Sequence, residues 1–400
     1  MSDKRLAIIT TLLCIVLLLT GCWDRVEIEQ RGFVVGMAVD LAEEGGEEEN
    51  KPEITVTNQF AVPSAMGAPG GGGDGGDSKG FFNLSSTGNS LYEIQNEMAT
   101  LTSRSPFFQH LQMFIVSGEL ASKPNLFSNA MDLVIRNYNM RRVVNVVISD
   151  GPAKEILETE PKAEKLPVFY FQSIMENSFK NAEVIEPVTI GQIHKFLLSK
   201  MSFVLPRVRK MGEKLDYEGL SVFQGHNDQM VGVLNALETK GYNLLMGQVK
   251  GGTLEIMMDG YPVMIEILKS NNAVKIKDSN PQNAAVSIDI KVEGTIAETF
   301  STASFASAKI RKEAVKKTEK VIEKLADDTL KKAQDELRVD ILGIGQLYRQ
   351  NHYNEWKKIK ENWDRGRNYF SQARITVNAE VNLQSTGAAE QTKENKDVGK

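Results

Sequence analysis

Residues 33–39 read Phe33-Val34-Val35-Gly36-Met37-Ala38-Val39, and this short apolar run decides how the first part of the chain can fold. Its length and composition predict a β-strand. Residues 53–60 alternate apolar and polar side chains, which is the period of a strand with one buried face. Because only the acidic turn 43–51 separates the two stretches, we expect the two strands to pair.

Beyond this strand pair, helical and strand patterns alternate as far as residue 200. Ser90 and Glu93 form a capping-box pattern, which predicts that a helix begins there. The further helices are predicted over residues 126–137, 167–180 and 189–201, and the further strands over residues 111–117 and 143–149. We therefore place an N-terminal α+β domain at residues 22–200, with a disordered glycine-rich loop at 67–80.

The second half of the chain divides into two further regions. Residues 201–280 are rich in strand patterns, with one helix near 234–245, and are predicted to form a middle domain. Residues 281–386 combine alternating strands near 286–297 and 374–383 with the longest helical pattern, which runs from about residue 305 to 339. The predicted fold class is α+β with two or three domains, in which mixed or antiparallel sheets pack against helices and a long helix lies in the C-terminal domain. Residues 387–400 are a polar tail that we expect to be disordered.

Two surface patterns in the last region each allow two interpretations. The long helix carries many lysines, which could meet anionic lipid headgroups, but Glu313–Lys317 and similar i,i+4 pairs favour an ordinary solvated helix face. Trp356 and Trp363 stand seven residues apart and could form an aromatic docking patch. Tryptophan is also a large core residue, and we favour core packing.

The N-terminus has the pattern of an export signal. Lys4 and Arg5 precede a run of 15 apolar or neutral residues, 6–20, which is shorter than the roughly 20 residues of a membrane-spanning helix. Leu19-Thr20-Gly21-Cys22 resembles the lipobox at which bacterial lipoprotein signals are cut. We therefore predict a signal peptide at residues 1–21 and lipid attachment at Cys22.

Composition and motifs argue against several classes of function. A formal net charge of −5 gives no general attraction to nucleic acid. Cys14 leaves with the signal and Cys22 is acylated, so no thiol remains as a nucleophile. The glycine-rich stretch fails the phosphate-loop pattern at Lys79, and the four histidines lack metal-ligand spacing. We predict no catalytic, cofactor-binding or metal-binding residues and no cofactor, and hence that the protein is not an enzyme.

Two further stretches resemble a known family. Residues 21–28, Gly-Cys-Trp-Asp-Arg-Val-Glu-Ile, lead into Val34–Asp40 as in the Ger(x)C spore germination lipoproteins. The run Asp340-Ile-Leu-Gly-Ile-Gly345, then Trp356-Lys-Lys-Ile359, Trp363 and the strand Ile375–Val381 resemble the closing motif of the same family. The resemblance covers nearly the whole mature chain.

The resemblance implies a role that the residues alone do not specify. It implies a non-catalytic C subunit of a nutrient germinant receptor, acting in receptor assembly or signal relay during spore germination beside two integral membrane subunits. Diacylglycerol and a fatty acyl chain on Cys22 would hold it to the outer face of the cell membrane or spore inner membrane. An extracytoplasmic solute-binding lipoprotein and an envelope-polymer hydrolase, which would need a carboxylate pair in a cleft, remain open as alternatives.

Overall fold

The computed structural model describes residues 30–42, 52–66, 79–162, 164–177, 181–301, 305 and 307–384. The predicted signal peptide, Cys22, most of the glycine-rich loop and the predicted tail lie outside the described residues. Two sheets organise the described part of the chain. The first contains ten strands and the second contains four.

The first sheet is mixed, and the strand predicted from residues 33–39 lies inside it. Its main path has the order β10-β9-β8-β6-β5-β1-β2-β3, with β4 paired to β1 and β7 paired to β6. The strands are β1 (Arg31–Leu41), β2 (Ile54–Ala61), β3 (Phe81–Gly88), β4 (Ser105–Phe107), β5 (Met113–Ser117), β6 (Asn145–Ser149), β7 (Val188–Thr189), β8 (Phe203–Met211), β9 (Lys214–Gln224) and β10 (Gln229–Leu234).

Strand β1 pairs antiparallel with β2, as the sequence predicted, and parallel with β5. It contributes to two separate cores, because Val34 and Met37 face one side of the sheet while Val35 and Ala38 face the other. The register shifts between Val34 and Gly36, where a bulge interrupts the regular alternation of the strand. Both faces of this sheet must therefore be covered.

Helices cover those two faces. They are α1 (Leu91–Leu101), α2 (Gly118–Ala121), α3 (Leu126–Arg136), α4 (Ala153–Leu157), α5 (Pro167–Glu176) and α6 (Ile190–Ser199). Apolar side chains of α1, α3 and α6 pack into the core that contains Val34 and Met37. Those of α4 and α5 pack into the core that contains Val35 and Ala38. The sheet is thus the middle layer of three.

The second sheet is smaller and has the order β11-β12-β13-β14. Its strands are β11 (Thr253–Met258), β12 (Tyr261–Ile276), β13 (Ala285–Thr299) and β14 (Arg374–Gln384). The first three strands are antiparallel, and β14 closes the sheet parallel to β13. The remaining helices are α7 (Ala236–Met246), α8 (Ala308–Lys331), α9 (Ile344–Asn351), α10 (Tyr353–Ile359) and α11 (Tyr369–Gln372).

The predicted long helix is α8, which continues into a π-helical turn at Lys332–Leu337. It packs against one face of the second sheet through buried side chains that include Ala314, Ile322 and Leu330. Its exposed side carries the predicted Glu313–Lys317 pair at 2.9 Å. In the described residues, no helix is both long and apolar enough to cross a membrane.

The α+β fold class, the mixed sheets with packed helices and the long C-terminal helix are confirmed. Residues 201–280, predicted as a middle domain, contribute β8–β10 to the first sheet and β11–β12 to the second. Helix α7 lies between these two groups of strands along the chain. The domain boundaries at 200/201 and 280/281 stay predictions about folding units.

Helices α7 and α8 approach each other closely at Gly241. A methyl group on Gly241 would overlap the backbone carbonyl oxygen of Leu325 and the hydroxyl of Thr329. The same hydroxyl donates to the carbonyl oxygens of Glu238 and Leu325, both at 2.9 Å. A larger residue at 241 must therefore separate the helices and weaken these contacts.

We predict that Gly241→Ala lowers the free energy of unfolding by about 1–3 kcal/mol, the usual cost of overpacking. The loss should occur although alanine is the better helix former by about 1 kcal/mol. Urea unfolding followed by circular dichroism measures the change. The control is Gly191→Ala in α6, where the nearest atom to the new methyl group is 3.4 Å away, and which should change stability by less than about 1 kcal/mol. A more stable Gly241→Ala protein would contradict the proposed close contact.

Candidate functional site

The predicted lipid-attachment residue, Cys22, lies outside the described residues. A polar cavity of about 530 Å³ lies where the first sheet meets helices α9 and α10. Its lining includes Lys200, Ser202, His226, Asp340, Trp363 and Asp364. Two of these residues are acids, of which Asp340 is buried and Asp364 is partly buried, and they define the chemistry of the site.

The Asp340 carboxylate lies at the beginning of helix α9. One of its oxygens accepts from the backbone N–H of Ile344 at 3.1 Å. The other accepts from the backbone N–H of Gly345 and from the indole N–H of Trp363, both at 2.7 Å. A negative charge is favourable at a helix N-terminus, where backbone N–H groups lack helical partners. Asp340 therefore ties the start of α9 to Trp363.

The local chain conformation allows this close approach. Gly343 adopts a left-handed φ of 72°, which turns the chain into α9 with little strain for glycine. A methyl group on Gly345 would lie 2.6 Å from the indole nitrogen of Trp363. The small residue at 345 thus permits the indole to lie directly against the helix and reach Asp340.

Burial and hydrogen bonding have opposing effects on the pKa of Asp340. Loss of solvent raises the pKa of its carboxyl, while the hydrogen bonds from Gly345, Trp363 and Ile344 act in the opposite direction. The nearby charge of Asp364 raises the same pKa further. The three donors belong to the start of α9 and to Trp363, so the Asp340 carboxylate has a structural role.

Asp364 links the same cluster to the first sheet. Its carboxylate accepts from the hydroxyl of Ser202 at 2.6 Å, and its backbone carbonyl accepts from the side chain of Gln224 at 3.0 Å. The Ser202 hydroxyl also accepts from the backbone N–H of Gly225 at 3.1 Å. Burial raises the pKa of Asp364, and the Ser202 hydrogen bond partly offsets this. These bonds connect the last part of the chain to β8 and β9.

The aromatic residues of the region form part of the core. Trp363 is buried and contacts Trp356, Tyr348 and Phe370 at centroid distances of 5.6–6.1 Å. Trp356 is partly buried against the same cluster. The core interpretation is therefore confirmed for Trp363, whereas Trp356 also lines the cavity. Pairs of this kind contribute about 0.5–1.5 kcal/mol beyond the area they bury.

Three of the four histidines, for which the sequence predicts no metal site, lie beside different side chains. His110 lies beside Phe33, His194 beside Arg142, and His226 beside Arg365. Among the described residues, no group of three or more His, Cys, Asp or Glu side chains could hold a metal ion. The hydrogen bonds of Asp340 and Asp364 thus connect two parts of the fold.

Sequence reasoning singled out Asp340-Ile-Leu-Gly-Ile-Gly345 for its resemblance to a family motif but gave Asp340 no role. Asp340 lies three residues before the N-cap position, Gly343, so the usual N-cap pattern does not identify it. Its partner Trp363 lies 23 residues further on, and that pairing depends on tertiary packing. No local pattern predicts it.

We predict that Asp340→Asn lowers the free energy of unfolding by about 1–3 kcal/mol, because an amide placed among three N–H donors must direct its own donor towards at least one of them. Urea unfolding monitored by tryptophan fluorescence measures the loss. The control Asp216→Asn changes an exposed acid of β9 and should leave stability within about 0.5 kcal/mol. Equal effects of the two substitutions would show that the Asp340 contacts add nothing.

Two family models together match almost all of the chain after residue 23. Residues 24–210 match a spore germination protein N-terminal domain. Residues 218–387 match a spore germination B3/GerAC-like C-terminal domain. The first matched range includes most of the ten-stranded sheet, and the second includes the whole four-stranded sheet and the Asp340 cluster.

Individual proteins agree with the family models. The chain is 29% identical to spore germination protein YndF of Bacillus subtilis over 96% of this chain and 98% of that protein. It is 27% identical to spore germination protein A3 of the same organism, again over 96% and 98% of the two chains. A crystal structure of the GerBC protein superposes with a TM-score of 0.59 at 18% identity, covering 86% of this chain and 97% of the other, and so shares the fold. The chain belongs to the Ger(x)C family of spore germination proteins.

Proposed function

We propose that this protein is a lipid-anchored, non-catalytic subunit of a spore nutrient germinant receptor, held by acylated Cys22 to the outer face of the membrane. The observation that carries the proposal is the position of the lipobox-like sequence. Leu19-Thr20-Gly21-Cys22 ends two residues before the region that matches the family begins, at residue 24. Cleavage before Cys22 would therefore leave the family region intact with the lipid at its start.

The short tether has a mechanical consequence. Strand β1 begins at Arg31, nine residues after Cys22, so an extended tether spans at most about 30 Å. The start of β1 would then remain within that distance of the bilayer. Confinement of this kind raises the effective concentration of a protein beside membrane partners, and weak surfaces suffice for binding.

The proposed partners are two integral membrane subunits, and the proposed role is receptor assembly or signal relay. The carboxylates of Asp340 and Asp364 form hydrogen bonds within the protein. This supports a role in binding and positioning partners rather than in catalysis. The polar bonds between the Asp340 cluster and β8–β9 would let a partner bound to one sheet affect the other. A nutrient need not contact this chain for the proposal to hold.

We predict that Cys22→Ala abolishes incorporation of labelled palmitate into the protein and reduces the germination response by on the order of 100-fold, because the gain from confinement is lost. Fluorography of labelled membranes and loss of spore absorbance after addition of nutrients measure the two effects. The matched control is Cys14→Ala, which alters the chain's other cysteine within the predicted signal. A normal nutrient response from spores with Cys22→Ala would refute the requirement for the lipid.

A further inference from the structure

We propose that one end of the first sheet rests on the anionic headgroup surface of the bilayer, with Phe82 and Leu101 entering the interface and Arg31 and Arg104 lying among the headgroups. We call this surface the anchor-proximal end. It comprises the start of β1, the end of β2, the start of β3, the end of α1 and residues 102–104. The inference rests on the proposed lipid attachment at Cys22.

Strand register brings these segments to the same end of the sheet. Val34 of β1 is opposite Phe60 of β2, and Phe60 is in turn opposite Phe82 of β3. Arg31 is opposite Ser105 in the parallel pair of β1 with β4. Because β1 begins here, the tether from Cys22 must also arrive at this end.

The anchor-proximal end exposes apolar side chains around a groove. Phe82 is 47% exposed and stacks on buried Phe60 at a centroid distance of 5.0 Å. Leu101 at the end of α1 is 58% exposed. Both side chains line a cavity of about 490 Å³ that also includes Pro63 and Arg104. Amphipathic surfaces that combine exposed aromatic and aliphatic side chains with basic ones are typical of proteins that lie in the membrane interface.

Positive charge flanks these apolar side chains. Arg31 places its guanidinium 4.2 Å from the ring centre of Phe107, and Arg104 is exposed. Neither arginine forms an ion pair within the described residues. Basic side chains within about a Debye length of an anionic membrane, near 8–10 Å, are attracted to it.

The two ends of the first sheet differ in the acidic residues that lie next to them in sequence. Five glutamates lie within residues 43–49, in the segment that joins the far ends of β1 and β2. That segment would be repelled by anionic lipid, and the proposed orientation directs it away. Near the anchor, the tether carries Asp24, Glu27 and Glu29 and the glycine-rich segment carries Asp74 and Asp77. The attraction to anionic lipid must therefore come from the anchor-proximal end itself.

The orientation also places the rest of the molecule. Strands β1–β3 form one side of the first sheet, whereas β8–β10, which lead to the second sheet, form the other. With the anchor-proximal end on the bilayer, the side of the sheet that joins the C-terminal half is available to partners alongside the membrane.

The test uses the lipidated full-length protein, bound to vesicles that contain phosphatidylglycerol, with a polarity-sensitive fluorophore on a single introduced thiol. Leu101→Cys places the thiol at the anchor-proximal end of α1. Tyr92→Cys is the matched control, since Tyr92 is 66% exposed near the other end of the same helix, about 13 Å away. Acylation occupies the sulfur of Cys22, so each variant has one reactive thiol.

We expect the fluorophore at 101 to shift to shorter wavelength and to be quenched by spin-labelled lipid, while the fluorophore at 92 remains accessible to aqueous iodide. Adding Phe82→Ser and Arg104→Glu to Leu101→Cys should reverse the shift without releasing the protein from the vesicles. Equal iodide access at 101 and 92 on vesicle-bound protein would overturn the inference. Protein that fails to float with the vesicles would instead overturn the proposed lipid attachment.

Discussion

The structure depends on one constraint, which is that strand β1 is buried on both faces. Its apolar side chains divide between two cores, so helices must cover the sheet on each side. Gly36 lets this happen at close range, because a methyl group there would lie 2.7 Å from both Leu157 and Val168 on α4 and α5. The same strand begins nine residues after Cys22. A strand that is buried on both faces is thus also the point from which the molecule would be tethered.

The second constraint is the connection between the two sheets. Residues 201–252 leave the first sheet through β10, pass through α7 and enter the second sheet at β11. The chain contacts the first sheet again through hydrogen bonds that join Asp364 to Ser202 and Gln224, and Arg365 to His226. Asp340 binds the start of α9 and the indole of Trp363, which is the residue before Asp364. A buried carboxylate with three donors provides a specific geometry that an apolar contact would not fix as precisely in direction.

Much of the fold could be predicted from local pattern. The run at 33–39, the alternation at 53–60 and the long helical stripe each identified its element, because periodicity records which face is buried. Sheet membership could not be predicted this way, since strands of residues 201–280 look alike whether they join the first sheet or the second. The Asp340–Trp363 bond was missed for the same reason, because it joins residues whose proximity depends on the whole fold. Lipid attachment at Cys22, in contrast, is predicted entirely from a contiguous motif and does not depend on tertiary packing.

The proposed tethering of the protein depends on the chemical state of residue 22. The most direct measurement is mass spectrometry of the N-terminal peptide released by trypsin from the mature protein. If the protein is tethered as proposed, this peptide begins at Cys22 and carries diacylglycerol on its sulfur and a fatty acyl chain. A free thiol at residue 22, or a peptide that retains any of residues 1–21, would contradict it.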